Sequence, residues 1–191
     1  MPPRLLAALV AALIAAGTAA AQEKPLAFTG ARIIPIAGQP VDNGILVVQG
    51  GRILAVGAAA STAIPAGAEV RDARGKVIMP GLVDSHSHIG GASGADGASP
   101  VQPDVRVLDA IDVRHASIQK AQAGGITTVN VMPGSGHLIS GQTLYLKLRD
   151  GRVIDDLLIR LSDGSTAGGL KMANGTNSIR TPGGPFPGSR A

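Results

Sequence analysis

Two histidines separated by a single serine, His86 and His88, are the residues of this 191-residue sequence whose types and spacing point most directly to chemistry. They end the apolar segment LVDSHSH. Residues i and i+2 of a strand point to the same face, so the two imidazoles are expected to lie side by side. Neutral imidazole nitrogen is a good ligand for a divalent ion such as Zn²⁺. The pattern therefore predicts half of a metal site.

The surroundings of this pair decide between metal binding and two unrelated polar residues at a strand end, which would show the same bare pattern. The pair follows the turn residues Pro80 and Gly81, ends an apolar strand and directly precedes a glycine-rich loop. These features favour metal binding. We interpret Asp84, which precedes the pair on the same strand, as a supporting carboxylate and not as a ligand.

The other two histidines lie farther along the chain. His137, in PGSGHLISG, follows a predicted strand and is expected at the rim of the site, where it either contacts substrate or caps a loop at the surface. His115, in DVRHASIQK, is predicted to lie within a helix and on its outer face. We therefore place His115 outside the site and keep both interpretations of His137.

The elements before Pro80 are predicted to be short strands separated by turns. From Leu26 onward, Gly50-Gly51 joins two apolar runs as in a tight hairpin, and EVRDARGKVIMPG is expected to form another strand pair. Such a succession of strands is typical of a small β-sandwich or half of a barrel.

The pattern changes after Pro80. The strand LVDSHSHIG leads through a Gly/Ala/Ser/Pro loop to VRVLDAIDVRHASIQKAQAGG, which is predicted to be a helix capped by its two final glycines. The β-branched strand ITTVNVMPG follows, and then a third apolar segment in LISGQTLYLKL. Strand, helix and strand in this order predict a βαβ unit with parallel pairing.

Composition limits the function classes. The first residues carry Arg4, an apolar run of about 12 residues and the A-x-A pattern at Ala19 and Ala21. That run is too short to cross ~30 Å of hydrocarbon, so residues 1–21 are predicted to be a signal peptide that directs export to the periplasm or the extracellular space. No cysteine is available for disulfides. A scattered net charge of +4 and 2% aromatic residues argue against a nucleic-acid partner, and no later segment is predicted to span a membrane.

PGLVDSHSH, entered from a β-rich segment with GGRILAVG and GKVIMPG, resembles the amidohydrolase superfamily. NVMPGSGHLISGQTLYLKL and GGLKMANGTNSIR are similar to its exported, imidazolonepropionase-related branch. The resemblance implies an α/β fold. Residues 26–80 would form part of a small β-sandwich, and residues 81–191 would form about the first three strands of a (β/α)₈ barrel.

The resemblance also implies a chemistry. His86 and His88 would end the first barrel strand and bind one or two divalent ions. Zinc is the ion that we expect first. The ions would support hydrolysis of an amide, cyclic amide or peptide bond in a small molecule or short peptide. Some superfamily members bridge two metals with a carboxylated lysine on the fourth strand. The order of elements here places Lys171 in a long excursion after the third strand, so we expect a solvated or structural lysine.

The resemblance implies further ligands that this sequence does not match. The family takes histidines from the fifth and sixth strands and a general-base aspartate from the eighth, and a complete barrel needs ~250 residues. We therefore expect an N-terminal part of a longer enzyme, without a catalytic aspartate of its own and inactive alone. Two alternatives stay open: a prolidase-like dipeptidase, and a secreted β-rich binding module without catalysis.

Overall fold

A computed structural model of the chain describes residues 24–92 and 98–178. The chain divides into two compact units between Pro80 and Gly81. The predicted signal peptide, residues 1–21, lies outside the described residues, as does the Gly/Pro-rich end of the sequence. Within the described ranges, no helix is long and apolar enough to cross a membrane.

The first unit is built on one sheet of five strands. They are β1 (Leu26–Ile33), β2 (Val41–Gln49), β3 (Arg52–Ala58), β4 (Glu69–Asp72) and β5 (Val77–Ile78). The order is β3-β2-β1-β4, and β5 pairs with β1 beyond β4. β2 and β3 form the predicted hairpin, whose Gly50 and Gly51 have φ angles of 55° and 70°. A two-residue type I′ hairpin turn requires positive φ angles at both central residues, and glycine adopts them without steric cost.

The second predicted strand pair of this unit is wrong. β4 and β5 do not pair with each other; both run parallel to β1, one after the other along the same edge. The backbone of Ala73 continues the bonding to Thr29 of β1, and a tight turn at Ala73 and Lys76 shifts the register without reversing the chain. An extended segment already bonded to β1 gains more by staying on that edge than by folding back on itself.

The second unit contains a three-stranded sheet covered by one helix. Its elements are β6 (Leu82–Ser87), α1 (Ala116–Ala123), β7 (Ile126–Val131), β8 (Ile139–Gln142), β9 (Leu144–Lys147) and β10 (Leu170–Met172), with 3₁₀ turns at Val107–Ala110, Ile154–Asp156 and Gly175–Asn177. The sheet order is β6-β7-β9, and β8 pairs with β10 separately. β6 and β7 are parallel, so the predicted βαβ unit is present.

The third strand differs from a barrel strand. β9 pairs with β7 antiparallel, from Thr128 opposite Lys147 to Val131 opposite Leu144. A parallel strand needs a crossover of about a dozen residues or more, usually a helix. The connection from β7 to β9, residues 132–143, contains β8 and no helix, and the chain returns in the opposite direction. Within the second unit, the described sheet β6-β7-β9 therefore contains two parallel strands, β6 and β7, and not three.

The predicted long helix is also shorter than expected. The segment begins with a 3₁₀ turn, then becomes extended at Ile111, and α1 starts only at Ala116. Between the 3₁₀ turn and α1, the side chain of Asp112 accepts a hydrogen bond from the backbone N–H of Arg114. Such local side-chain bonds compete with helix formation. The C-terminal end at Gly124 is as predicted.

The core of the second unit lies between α1 and the sheet. Its buried side chains come from the first 3₁₀ turn, from α1, from β7 and β9, and from the segment after β9: Val107, Ile118, Val129, Val131, Leu144, Leu146, Leu148, Leu157 and Leu158. Burying one such side chain stabilises the fold by about 1.5–3 kcal/mol. This core fixes the face of β7 that packs on the helix and thereby holds the strand beside β6.

Candidate metal centre

His86 and His88 lie at the carboxyl end of β6, His86 within the strand and His88 one residue beyond it. Their ring centroids are 5.2 Å apart, with an angle of 77° between the ring planes. Both side chains are exposed to solvent. The structure thus brings the two imidazoles together, as their spacing predicts, on an open surface that a ligand can reach.

The ring of His88 is oriented by a backbone carbonyl. Its Nδ1 lies 2.8 Å from the carbonyl oxygen of Met132, which follows β7. A carbonyl oxygen can only accept, so Nδ1 carries the hydrogen, and in the neutral ring Nε2 carries the lone pair. A hydrogen bond from the ring nitrogen that does not bind the metal is what typically orients a metal-binding histidine.

The ring of His86 faces a lysine from the far end of the unit. The Nε2 of His86 lies 3.5 Å from the Nζ of Lys171 in β10. An ammonium can only donate, so with Lys171 in that form Nε2 of His86 is the acceptor and carries a lone pair. The backbone N–H of His86 donates to Oδ1 of Asp84 at 3.0 Å. The carboxylate of Asp84 therefore shapes the strand end, in keeping with its interpretation as a supporting residue.

Lys171 is not the solvated residue that we expected. Only 8% of its surface is exposed, and its strand partner is Gly141 in β8. Pairing of β10 with β8 turns the segment GGLKMANG back toward the end of β6. Among the described residues, none of the ion pairs involves Lys171. Its Nζ faces the imidazole of His86 instead.

The remaining histidines correct two expectations. His115 does not lie within the helix: it is the N-cap of α1, and its side chain accepts a hydrogen bond from the backbone of Ser117. His137 is only 5% exposed, so the interpretation as a surface residue is wrong. Contact of His137 with a substrate stays a prediction.

The donor atoms fit a metal ion in part. Two imidazoles present Nε2 lone pairs, and nitrogen donors of this kind suit Zn²⁺. Within the described ranges, however, no group of three or more His, Cys, Asp or Glu side chains could hold an ion. His86 and His88 would thus supply two ligands, and Lys171 is the nearest further group with a nitrogen atom.

The clear electrostatic shifts in this unit lie on other residues. Side-chain hydrogen bonds from Arg106 lower the pKa of Asp109, and backbone N–H groups of Arg152 and Val153 lower the pKa of Asp156. Both carboxylates are exposed and serve turns of the chain. These shifts stabilise local structure and do not mark a catalytic acid or base.

Sequence reasoning missed two contributors to the site. The carbonyl of Met132 has no signature, because every residue carries one. Lys171 was expected to be a solvated or structural lysine, because no local pattern shows that β10 returns to β6. In GGLKMANG, the polar Lys171 stands between Leu170 and Met172. This alternation was the available signal that Lys171 faces the opposite side of the strand from its two neighbours.

The sequence is similar to several known proteins. No family model matches the sequence. The chain is 31% identical over 134 residues to the amidohydrolase tasK of Hapsidospora irregularis, which covers 63% of this chain and 14% of that protein. It is 32% identical over 106 residues to a dihydroorotase of Pelotomaculum thermopropionicum, covering 56% of this chain and 21% of that protein.

A solved structure agrees with these relatives. The amidohydrolase from Thermotoga maritima MSB8 superposes with a TM-score of 0.69 at 32% identity, over 80% of this chain and 39% of that one. The chain is thus similar to amidohydrolases in sequence and in structure. It spans well under half the length of these amidohydrolase relatives. The mixed α/β character of the fold agrees with the prediction.

Proposed function

We propose that this chain carries the first metal ligands of a hydrolase that acts on carbon–nitrogen bonds. The observation that supports it most is the orientation of His88 by the Met132 carbonyl, with the His88 and His86 ring centroids 5.2 Å apart. The relatives named amidohydrolase and dihydroorotase support the reaction class. When bound, a divalent ion would polarise the substrate carbonyl and acidify water.

The residues of this chain have distinct parts in the proposal. His86 and His88 hold the ion through Nε2, and Met132 keeps the ring of His88 in the required tautomer. Nitrogen ligands make zinc the ion that we propose. The further ligands and the general base belong to the later strands that the resemblance implies and that this sequence does not match. For the 191-residue chain alone we expect weak zinc binding and no turnover; robust metal-dependent turnover would overturn this part.

Lys171 is the third ligand in this proposal. As an ammonium that donates to Nε2 of His86, it could not share this nitrogen with a metal ion. Reaction of the neutral amine with carbon dioxide forms an N–C bond, releases one proton and gives a carbamate anion. Carboxylate oxygen is a suitable zinc ligand. Carboxylation would therefore convert the buried lysine from a competitor of the metal ion into its partner.

The substrate in this proposal is a small molecule or a short peptide with a carbon–nitrogen bond to be hydrolysed. His137, which is buried in the loop after β7, is the residue that we propose for substrate contact. A dipeptide substrate, as for a prolidase, is the alternative within the same chemistry. Substrate profiling of cyclic amides against dipeptides separates the two.

Export is part of the proposal as well. Residues 1–21 have the charge, apolar run and small residues of a signal peptide. Expression in a bacterial host should give a periplasmic product whose N-terminus begins after Ala21. A product retained in the cytoplasm with an intact N-terminus would contradict export.

The decisive experiment measures zinc bound to the folded chain. His86→Ala and His88→Ala should each lower the bound zinc strongly, because each removes a ligand. Ser85→Ala is the matched control, since its exposed side chain lies between Asp84 and His86 and binds nothing in the structure. Unchanged zinc stoichiometry in both histidine variants would favour a secreted binding module without catalysis.

A further inference from the structure

His88 lies where the sheet no longer fixes the backbone. β6 ends at Ser87, whose carbonyl accepts the N–H of Met132 at 3.0 Å as the last bond to the neighbouring strand. His88 follows without a ladder bond among those described. The position of its ring therefore depends on how the chain is held on the other side, after His88.

That downstream anchor is Gly90. Its N–H donates to Oγ of Ser117 at 3.0 Å, and its carbonyl accepts the N–H of Asp112 at 2.8 Å. Gly90 is buried and has a φ of +81°. Both of its backbone groups are thus bonded to the segment that begins α1, two residues after His88.

Ser117 is itself held in one orientation. Its Oγ lies 2.7 Å from Nδ1 of His115, and its own N–H donates to the same Nδ1 at 3.3 Å. A nitrogen that accepts from the N–H carries a lone pair, so the hydroxyl of Ser117 donates to it as well. The oxygen of Ser117 then has its lone pairs free for the N–H of Gly90. Hydrogen bonds run in one direction, from Gly90 to Ser117 to His115.

This contact is not needed to cap the helix. The side chain of His115 already accepts a backbone N–H at the N-terminus of α1. The Ser117 hydroxyl instead reaches a residue 27 positions earlier in the chain. Its partner is the segment that directly follows the metal-binding motif.

We propose that Ser117, oriented by His115, is a positioning residue for His88. Through Gly90 it fixes the backbone on one side of His88, while the Met132 N–H fixes it at Ser87 on the other. The ring of His88 can then keep its 2.8 Å contact with the carbonyl of Met132. The consequence for metal affinity rests on the proposed function; the consequence for the His88 ring does not.

The test uses the full chain and two readouts. Zinc affinity is measured by competition with a chromophoric chelator, and the protonated ring nitrogen of His88 is identified by ¹H–¹⁵N correlation without metal. For Ser117→Ala we expect zinc to bind about threefold to tenfold more weakly. We also expect the His88 ring to change from the Nδ1–H form to a mixture of tautomers. Ser117→Thr keeps the hydroxyl and should restore both values.

A control separates positioning from helix stability. Gln119→Gly weakens the exposed middle of α1 without touching the hydroxyl of Ser117. It should leave zinc affinity and the His88 spectrum unchanged while the helix signal in circular dichroism falls. An equal loss of affinity in Gln119→Gly, no effect of Ser117→Ala, or no rescue by Ser117→Thr would each overturn the proposal.

Failure of the metal site gives a different result. If the wild-type chain binds zinc no better than the His86→Ala and His88→Ala variants, the proposed function fails. The metal-free His88 spectra then decide alone. A tautomer change in Ser117→Ala that Ser117→Thr reverses supports the positioning role, and identical spectra overturn it.

Discussion

The Nζ atom of Lys171 lies 3.5 Å from Nε2 of His86, although 85 positions separate the two residues in the sequence. The contact depends on β10, whose pairing with β8 carries the lysine back to the end of β6. A buried lysine beside a metal-binding nitrogen has two chemical states with opposite effects: an ammonium competes with the ion, and a carbamate binds it. In the proposed function, the state of Lys171 therefore controls the site.

Lys171→Met tests that control. The substitution keeps the length of the apolar stem and removes the amine, so no carbamate can form. In the wild-type chain we expect zinc affinity to rise when bicarbonate is added. In Lys171→Met we expect no bicarbonate effect and an affinity lower by about tenfold or more, because loss of a ligand should cost at least as much as loss of an outer partner.

The matched control is Lys120→Met, which removes an exposed lysine of α1. It should keep both the affinity and the bicarbonate response of the wild type. Isothermal titration with zinc, with and without bicarbonate, measures all three chains. A response that persists in Lys171→Met would show that the carbon dioxide reacts elsewhere, and a wild-type chain without any response would remove carboxylation from the proposal.

Gly90→Ala probes the backbone that follows His88. Gly90 has a φ of +81°, and an added Cβ would lie 3.3 Å from two side-chain carbons of Ile111. A left-handed conformation costs a residue with a Cβ about 1–2 kcal/mol, and Ile111 must also give way. We expect the free energy of unfolding to fall by more than this amount, and zinc affinity to fall with it.

Gly164→Ala provides the comparison for Gly90→Ala. Gly164 has a similar φ of +85° with nothing within 4 Å of an added Cβ. It should show the conformational cost alone and no change in zinc affinity. Chemical denaturation of the two variants gives both costs, and equal costs would mean that Ile111 yields freely.

Leu146→Ala measures how far the site depends on the core behind it. Leu146 lies in β9, is 0% exposed and packs among the buried residues of the second unit. Removal of a large buried side chain should lower the free energy of unfolding by about 2–5 kcal/mol. Leu161→Ala, at a position that is 54% exposed, should change it by about 0.5 kcal/mol or less. Urea denaturation followed by circular dichroism distinguishes them; similar values would show that β9 is not part of a tight core.

The sequence allowed the local part of the site to be predicted, but not the part that depends on distant segments. The placement of His86 beside His88 follows from strand geometry, and the end of α1 at Gly124 follows from glycine chemistry. The direction of β9 could not be predicted from its apolar residues, because a strand buries the same side chains whether it pairs parallel or antiparallel. The return of Lys171 depends on the β8–β10 pairing, which leaves no local pattern in the chain.

Asp72 gives the first unit a measurable dependence on acid. Side-chain hydrogen bonds from Arg74, together with its backbone N–H, lower the pKa of Asp72 from 3.8 to about 2. A lowered pKa in the folded state stabilises the fold above the unfolded value of 3.8, and this stabilisation is lost as the pH falls toward about 2. Both side chains are exposed, so the effect should be small and should weaken with added salt.

Arg74→Ala tests the cause of this shift. The variant loses the guanidinium bonds but keeps the backbone N–H that donates to Oδ1 of Asp72 at 2.9 Å. The pKa of Asp72, followed by carboxyl ¹³C shifts, should therefore rise only part of the way back to 3.8. Asp72→Asn should remove the corresponding acid-dependent loss of stability, because it has no proton to gain. An unchanged pKa in Arg74→Ala would assign the whole shift to the backbone bond.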